Sequence, residues 1–151
     1  MLRYKKGNIL EANENIICHQ VNVQGVMGGG LALQIANSYP NVLEKYGNYC
    51  KENLNCYEAL RGEAYIVNIN NNQQIANCFT QEPNFNTNYQ DIYDCFTTLL
   101  IICKQNNKTI CVPKNYGCGI AHGNWQKVEY ILKELSNFYE VDITIYELER
   151  K

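Results

Sequence analysis

The stretch from Ile16 to Ser38 constrains the fold of this chain more than any other part of the sequence. It begins as an apolar run typical of a buried strand, passes through polar residues to a glycine cluster, and ends in apolar residues at helical spacing. Glycines let the backbone approach a ligand closely, and the first turn of a helix presents unpaired N–H groups and the positive end of its dipole. The stretch therefore predicts a strand, a loop and a helix that hold a phosphate-bearing ligand through the backbone. A tight connection without a ligand is the alternative.

The glycine spacing excludes two common nucleotide-binding motifs. Gly25 is followed by Gly28, Gly29 and Gly30, which is not the G-x-G-x-x-G spacing of a Rossmann site. No G-x-x-x-x-G-K-[ST] sequence occurs at this position either. Neither a dinucleotide fingerprint nor a P-loop is predicted.

A second glycine loop runs over residues 114–123, directly after an apolar strand candidate over 109–113. Asn124 is a good N-cap for the helix that follows. The carboxyl ends of neighbouring strands are where ligands bind in open α/β sheets. Two amide-rich loops at that edge predict a phosphate or diphosphate site between them.

Strands alternate with helices along the chain, which predicts a layered α/β fold and a single domain over residues 1–151. A hairpin is predicted around the turn at Asn70–Asn72, so the sheet is expected to be mixed. The strongest helical stripe consists of Ile92, Tyr93, Phe96, Leu99, Leu100 and Cys103. Helices are predicted over residues 30–39, 41–53, 89–105 and 125–138. Strands are predicted over residues 2–5, 63–68, 74–79, 109–113 and 142–148, and a further strand begins at residue 16. A loop is predicted over residues 56–62.

Charge and cysteine usage limit the function classes. The net charge is −2 at pH 7, so no global basic field favours non-specific duplex binding. The N-terminus M-L-R-Y-K-K-G lacks the apolar region of a signal peptide, and no run is long enough to span a membrane. The eight cysteines form no C-x-x-C pair and mostly lie in apolar runs. We therefore expect a reduced, cytoplasmic protein with no membrane association, no disulfide, no bound metal and no cofactor.

Four segments, taken together, resemble the macrodomain family in their order and spacing. They are G-N-I-L at 7–10, H-Q-V-N-V-Q-G-V-M-G-G-G-L-A-L-Q-I at 19–35, G-C-G-I-A-H-G-N-W at 117–125 and I-T-I-Y-E-L at 143–148. The chain looks most similar to the branch with the terminal ADP-ribose protein glycohydrolase and its bacterial relatives. This resemblance covers about Leu2 to Leu148. It implies a three-layer α/β/α fold with a mixed central sheet, ADP-ribose binding, and in many members removal of ADP-ribose from proteins or nucleic acids.

The resemblance also implies positions for the parts of ADP-ribose. The turn with Asn8 and Ile9 would hold the adenine, and Tyr146 would stack on it. The loop Gly117–Ala121 would wrap the diphosphate, with Cys118 using its N–H rather than its thiol. Asn22 and the glycines after it would surround the distal ribose, where cleavage occurs. The full set of implied ligand-binding residues is Asn8, Ile9, His19, Gln20, Asn22, Gln24, Val26, Met27, Gly28, Gly29, Gly30, Thr80, Gln81, Tyr116, Gly117, Cys118, Gly119, Ile120, Ala121 and Tyr146.

Two catalytic residues of the human-type glycohydrolase have no counterpart in this sequence. Gln81, with Thr80 beside it, stands where that enzyme has a lysine, and Ala121 stands where it has an aspartate. Neither glutamine nor alanine can form a Schiff base or act as a general base. A mechanism through a lysyl intermediate is therefore not expected here.

Hydrolysis is instead predicted to use a water near the distal ribose, oriented by Asn22 and assisted by the phosphate of the substrate. His122 or His19 would supply acid or base chemistry, since imidazole titrates near neutrality. Phe85 and Tyr89 are candidates for a lid over the ribose.

Two other functions stay open. The chain can be a non-catalytic reader of ADP-ribose, or it can process ADP-ribose 1″-phosphate or O-acetyl-ADP-ribose at the same site. The expected partners are ADP-ribose, protein ADP-ribosylated on acidic residues, or ADP-ribosylated nucleic acid. The chain is expected to be a monomer.

Overall fold

A computed structural model describes residues 1–149, apart from the side chains of residues 55–57. Six strands form one sheet: β1 Leu2–Lys6, β2 Ile16–Val21, β3 Ala64–Asn68, β4 Gln74–Phe79, β5 Ile110–Pro113 and β6 Ile143–Glu147. Their order in the sheet is β1-β6-β5-β2-β4-β3. All neighbours are parallel except β3 and β4, which form an antiparallel hairpin. The predicted mixed sheet is therefore confirmed.

Four α-helices cover both faces of this sheet. Helices α1 (Gly30–Ser38) and α2 (Pro40–Glu52) pack on one face, and α3 (Tyr89–Asn106) and α4 (Trp125–Tyr139) pack on the other. Successive side chains of a strand point to opposite faces, so β2, β4, β5 and β6 bury residues in both cores. The edge strand β1 contributes only Leu2, which packs against the α3 and α4 core. The predicted α/β fold, with three layers, is confirmed. Over residues 1–149, none of the helices combines the length and the apolarity needed to cross a membrane.

Helices α1 and α2 are separated by a single residue, Tyr39. The residue before a proline avoids the α region, and Pro40 itself occupies the first turn of α2, where its missing N–H costs nothing. The proline therefore ends one helix and begins the next. The predicted end of α1 is confirmed, and α2 begins one residue earlier than predicted.

Two details of the predicted secondary structure are wrong. The segment Leu54–Leu60 is a 3-10 helix rather than a loop beginning at residue 56. Tyr93 is 49% exposed and does not belong to the buried stripe of α3, whereas Cys95 is fully buried there. One residue turns a helix by about 100°, so Tyr93 lies to one side of the face that Ile92 and Cys95 share.

The described cysteine side chains are all free thiols, and most are part of the two cores. The side chain of Cys56 lies outside the described residues. Burial raises the pKa of the Cys103 thiol to about 11, which keeps it protonated and unreactive at neutral pH. These thiols act as small apolar groups; they are Cys18, Cys50, Cys78, Cys95, Cys103, Cys111 and Cys118.

Candidate functional site

A cleft of about 510 Å³ opens at the carboxyl ends of β2, β4 and β5. Three segments form its walls: the first glycine loop (residues 22–29), the second glycine loop (residues 114–123) and the β4–α3 loop (residues 80–88). It lies at the sheet edge where α/β folds bind ligands. The predicted site residues that line it are His19, Gln20, Asn22, Val26, Gly28, Gly29, Gly30, Gln81, Tyr116, Gly117, Gly119, Ile120 and Ala121.

The first glycine loop is organised by the side chain of Asn22. Its Oδ1 accepts a hydrogen bond from the N–H of Gln24 at 3.1 Å. The hydroxyl of Tyr46 donates to Asn22, with its oxygen 2.6 Å from the backbone carbonyl and 2.8 Å from Oδ1. Its Nδ2 donates to the carbonyl of Val26 at 2.9 Å. Burial raises the pKa of Tyr46, so this phenol stays a donor. Asn22 thus fixes the loop and retains one Nδ2–H for the cleft.

Helix α1 begins at the wall of the cleft. Its N-cap is Gly29, which has no side chain to satisfy the N–H groups of the first turn. Gly28 and Gly29 line the cleft, and a Cβ on Gly28 would meet no atom within 4 Å. The open N–H groups and the helix dipole therefore favour an anion at this point.

The second glycine loop presents a further row of N–H groups. Cys118 donates its N–H to the carbonyl of Asn115 at 2.9 Å, and Gly123 donates to the carbonyl of Gly117 at 2.8 Å. These internal bonds curl the loop. Within residues 1–149, the N–H groups of Gly119, Ile120 and Ala121 meet no protein acceptor. Consecutive free N–H groups of this kind form an anion-binding concavity.

A hydrogen-bond chain below the cleft holds the second glycine loop against the β4–α3 loop. The Tyr116 hydroxyl donates to Thr80 Oγ1 at 2.6 Å, and Thr80 donates to Gln20 Oε1 at 2.8 Å. Gln20 Nε2 donates to Thr87 Oγ1 at 3.2 Å, and Thr87 donates to the carbonyl of Gly117 at 2.6 Å. Because every hydroxyl proton is used once, these hydrogen bonds run in one defined direction, from Tyr116 to the carbonyl of Gly117.

The predicted contact residue Thr80 does not line the cleft. Thr80 is fully buried, and it acts on the cleft only through the hydrogen bonds to Gln20 and Tyr116. Burial also raises the pKa of Tyr116, so its hydroxyl remains a donor in this chain. Thr80 is therefore a positioning residue.

Several other predicted contact residues also lie outside the cleft. Asn8 Oδ1 caps a 3-10 turn by accepting the N–H of Leu10 at 3.0 Å. Tyr146 is only 5% exposed, its hydroxyl donates to the Glu14 carboxylate, and Lys5 Nζ sits 5.7 Å from its ring centroid. The free ring face that stacking on adenine requires is therefore not available at Tyr146 in this conformation. The predicted residues outside the lining are Asn8, Ile9, Gln24, Met27, Thr80, Cys118, His122 and Tyr146.

Local contacts explain why the other predicted residues do not line the cleft. Met27 is 5% exposed and belongs to the core below the first loop. Gln24 turns away from the cleft and donates its Nε2 to the carbonyl of Pro83 at 2.9 Å. The N–H of Cys118 is already bonded within its own loop, so it cannot serve a phosphate. His122 is exposed with φ +61 and is not among the residues that line the cleft, so the structure gives no support to the predicted catalytic role of its imidazole.

Sequence reasoning missed other lining residues. Leu31 and Ala32 follow the first loop, and Pro113, Lys114 and Asn115 lead into the second. Their position beside the glycines was the available signal. Lys114 Nζ pairs with the Glu147 carboxylate at 3.2 Å. Among the described lining residues none is acidic, so the backbone N–H groups meet no competing carboxylate.

Exposed apolar side chains surround the mouth of the cleft. Val26, Phe85 and Ile120 come from the three different walls and are 53%, 43% and 85% exposed. Phe85 has φ +70, a left-handed conformation that bulky residues rarely adopt. Its N–H closes a tight turn onto the carbonyl of Glu82 at 2.8 Å. Phe85 lines the mouth of the cleft and Tyr89 does not, and a lid over the ribose stays a prediction.

No group of three His, Cys, Asp or Glu side chains converges as a metal site within residues 1–149. Apart from Lys114 and the phenol of Tyr116, His19 is the titratable side chain of the cleft lining. His19 is 1% exposed, and its Nε2 lies 2.7 Å from Asn77 Oδ1. Asn77 Nδ2 donates to the carbonyl of Tyr65 at 2.9 Å, so Asn77 presents its oxygen to His19.

Because burial lowers the pKa of His19 below its ordinary 6.5, the folded protein should lose stability in mild acid. The unfolded chain takes up a proton first as the pH falls below that value, so the stabilisation is complete above it and declines below it. We expect a loss of up to about 1.4 kcal/mol per pH unit, measurable by urea unfolding between about pH 7 and pH 5. A His122→Gln variant should keep this decline and a His19→Asn variant should lack it. Constant stability of the unmodified protein over this range would contradict the prediction.

Together the fold and the cleft define an α/β protein that can hold an anionic ligand through two N–H-rich loops. A family model described as the Macro domain matches residues 18–132. The chain therefore belongs to the macrodomain family, which confirms the resemblance seen in its motifs.

Similar proteins include two kinds of enzyme. A "DNA ADP-ribosyl glycohydrolase" of Mycobacterium tuberculosis is 26% identical over 153 residues, which cover 97% of this chain and 42% of that protein. An "ADP-ribose 1″-phosphate phosphatase" of Lodderomyces elongisporus is 25% identical, covering 87% of this chain and 85% of that protein. The solved macrodomain of Mycobacterium tuberculosis DarG matches with a TM-score of 0.81 at 27% identity, covering 97% of each chain. This chain thus spans less than half the length of the mycobacterial glycohydrolase.

Proposed function

We propose that this chain binds ADP-ribose and hydrolyses the bond that joins ADP-ribose to a modified macromolecule. The observation that carries the proposal is the cleft between two N–H-rich loops, with no acidic residue among its described lining. A diphosphate needs donors on more than one side and no nearby carboxylate. A relative named as a DNA ADP-ribosyl glycohydrolase aligns with 97% of this chain, which favours ADP-ribosylated DNA as the substrate and modified protein as the alternative.

The binding step follows from the two loops. The open first turn of α1 and the N–H groups of Gly119, Ile120 and Ala121 would share the diphosphate oxygens. Lys114 adds little charge because Glu147 pairs with it. Backbone donors fixed by internal hydrogen bonds need no reorganisation when the ligand arrives.

The chemical step transfers the ADP-ribosyl group to water. The oxygen of a water forms a bond to C1″ of the distal ribose, the bond from C1″ to the macromolecule breaks, and the proton of the water passes to the leaving group. Gln81 and Ala121 stand at the wall, and the described lining contains no carboxylate. Its one lysine, Lys114, is ion-paired with Glu147, so we assign it no role as nucleophile or base. The remaining Nδ2–H of Asn22 would orient the water, and a diphosphate oxygen of the substrate would accept its proton in transit.

A second candidate function is dephosphorylation of ADP-ribose 1″-phosphate. The observation in its favour is that Gln81 stands where the human-type glycohydrolase has its lysine. Dephosphorylation needs no attack on the glycosidic carbon, so it does not need that lysine. A relative of similar identity is named as such a phosphatase. A reader function without turnover is the third outcome.

The test combines calorimetric titration with ADP-ribose and three turnover assays in the same preparation. The substrates are single-stranded DNA ADP-ribosylated on a base, protein ADP-ribosylated on glutamate, and ADP-ribose 1″-phosphate. Release of ADP-ribose from DNA or protein supports the proposal. Release of inorganic phosphate alone supports the second candidate, binding without release supports a reader, and absence of binding contradicts all three.

A further inference from the structure

One acceptor in the floor of the cleft has no donor. His19 is on β2, and its side chain lies on the α1 and α2 side of the sheet with Ile17 and Val21. It contributes to the cleft lining together with Leu31 and Ala32 of α1. Its Nδ1 is buried and has no hydrogen-bond partner in the described part of the chain.

The tautomer of His19 follows from its neighbours. Asn77 must turn its Nδ2 to the carbonyl of Tyr65, which only accepts, so its Oδ1 faces His19 Nε2 at 2.7 Å. An oxygen in that position requires the proton of the imidazole on Nε2. The Nδ1 of a neutral His19 therefore carries a lone pair.

A buried acceptor without a donor is costly for the folded protein. A second acceptor of the same cleft, Gln81 Oε1, is also buried without a partner in the described residues. The loops of the cleft supply donors for phosphate oxygens, whereas these two atoms need donors from the ligand. Among the groups of a sugar nucleotide, the ribose hydroxyls are donors of this kind.

We propose that His19 Nδ1 accepts a hydrogen bond from a hydroxyl of the distal ribose, which makes His19 a specificity-determining residue of the cleft. The inference rests on the proposed function, because it assumes that ADP-ribose occupies the cleft. It assigns His19 a role in selecting a ribose-bearing diphosphate over a diphosphate alone. Protonation of Nδ1 would abolish this contact, so the neutral ring is the binding form.

Nuclear magnetic resonance tests the contact directly. The chain has two histidines, so a His122→Gln variant labelled with ¹⁵N-histidine reports on His19 alone. Without ligand, we expect the spectrum of an imidazole protonated at Nε2. Saturation with ADP-ribose should move the Nδ1 resonance towards that of a hydrogen-bonded acceptor, and saturation with ADP, which lacks the distal ribose, should not. An unmoved Nδ1 resonance in protein that binds ADP-ribose by calorimetry would overturn the inference, as would equal shifts with ADP and ADP-ribose.

Affinities provide a second measurement. In a His19→Phe variant, the preference for ADP-ribose over ADP should fall by about tenfold, the equivalent of one hydrogen bond. Affinity for ADP should persist, and it serves as the internal control for folding and for the diphosphate site. An unchanged preference would overturn the proposed contact. If neither ligand binds the unmodified protein, the proposed function fails instead, so the two failures are distinguishable.

Discussion

Replacing Asn22 with alanine should reduce release of ADP-ribose by about 100-fold, the cost of displacing a positioned reactant by about 1 Å. The side chain of Asn22 accepts from Gln24 and Tyr46 and donates to Val26, so the variant loses both the order of the first glycine loop and the free donor in the cleft. Multiple-turnover assays on ADP-ribosylated DNA, with ADP-ribose affinity measured in parallel, check this.

Tyr46→Phe is the matched control for loop order. It removes the hydroxyl that donates to the backbone carbonyl or the Oδ1 of Asn22 but leaves the Nδ2–H in place. We expect this variant to lose about tenfold in turnover, because a single hydrogen bond to the orienting group is removed. Unchanged turnover in Asn22→Ala would exclude Asn22 from catalysis, and an equal loss in both variants would assign its whole effect to loop order.

Gly123→Ala should weaken ADP-ribose binding by more than about tenfold and lower the stability of the fold by about 1–3 kcal/mol. A Cβ at this position would overlap the carbonyl of Gly117 and approach the Oγ1 of Thr87 to 3.3 Å. Backbone on that side cannot move aside without breaking the bond from Gly123 N to Gly117 O, which closes the second loop. Calorimetry and thermal unfolding measure the two effects.

Gly119→Ala is the control within the same loop. A Cβ on Gly119 would meet no atom within 4 Å, so the unfolding temperature should stay at that of the unmodified protein. Its affinity for ADP-ribose is not used as a control, because Gly119 lines the cleft. Equal unfolding temperatures for all three proteins would show that the second loop does not depend on close packing at Gly123.

The parts of the site that sequence could predict are those that depend on local chain geometry. Strand, glycines and helix follow one another within residues 16–38, and the same order recurs around residues 109–138. Each segment carries its own periodicity and turn chemistry. Two such loops at carboxyl ends of parallel strands must meet at one edge, so the cleft between them followed.

The parts that sequence could not predict depend on partners far apart in the chain. The tautomer of His19 is set by Asn77, which is 58 residues away. Thr80 was expected at the ligand, but Gln20 and Tyr116 occupy its hydroxyl. The N–H of Cys118 and the imidazole of His122 depend on how the second loop curls, and motif spacing does not specify that curl. A family resemblance assigns roles to residues by their position in the sequence. Tertiary packing determines which of those residues line the cleft.

Phe85 lowers the folding stability of this chain at the mouth of its cleft. A sequence selected only for folding stability would carry glycine or asparagine there. An aromatic residue at φ +70 lowers the stability of the fold by about 1–2 kcal/mol. Phe85 also remains 43% exposed, so burial offsets only part of that strain. Selection for thermal stability alone would therefore replace this phenylalanine early. The resulting protein would be more stable, but the mouth of its cleft would lack an aromatic side chain.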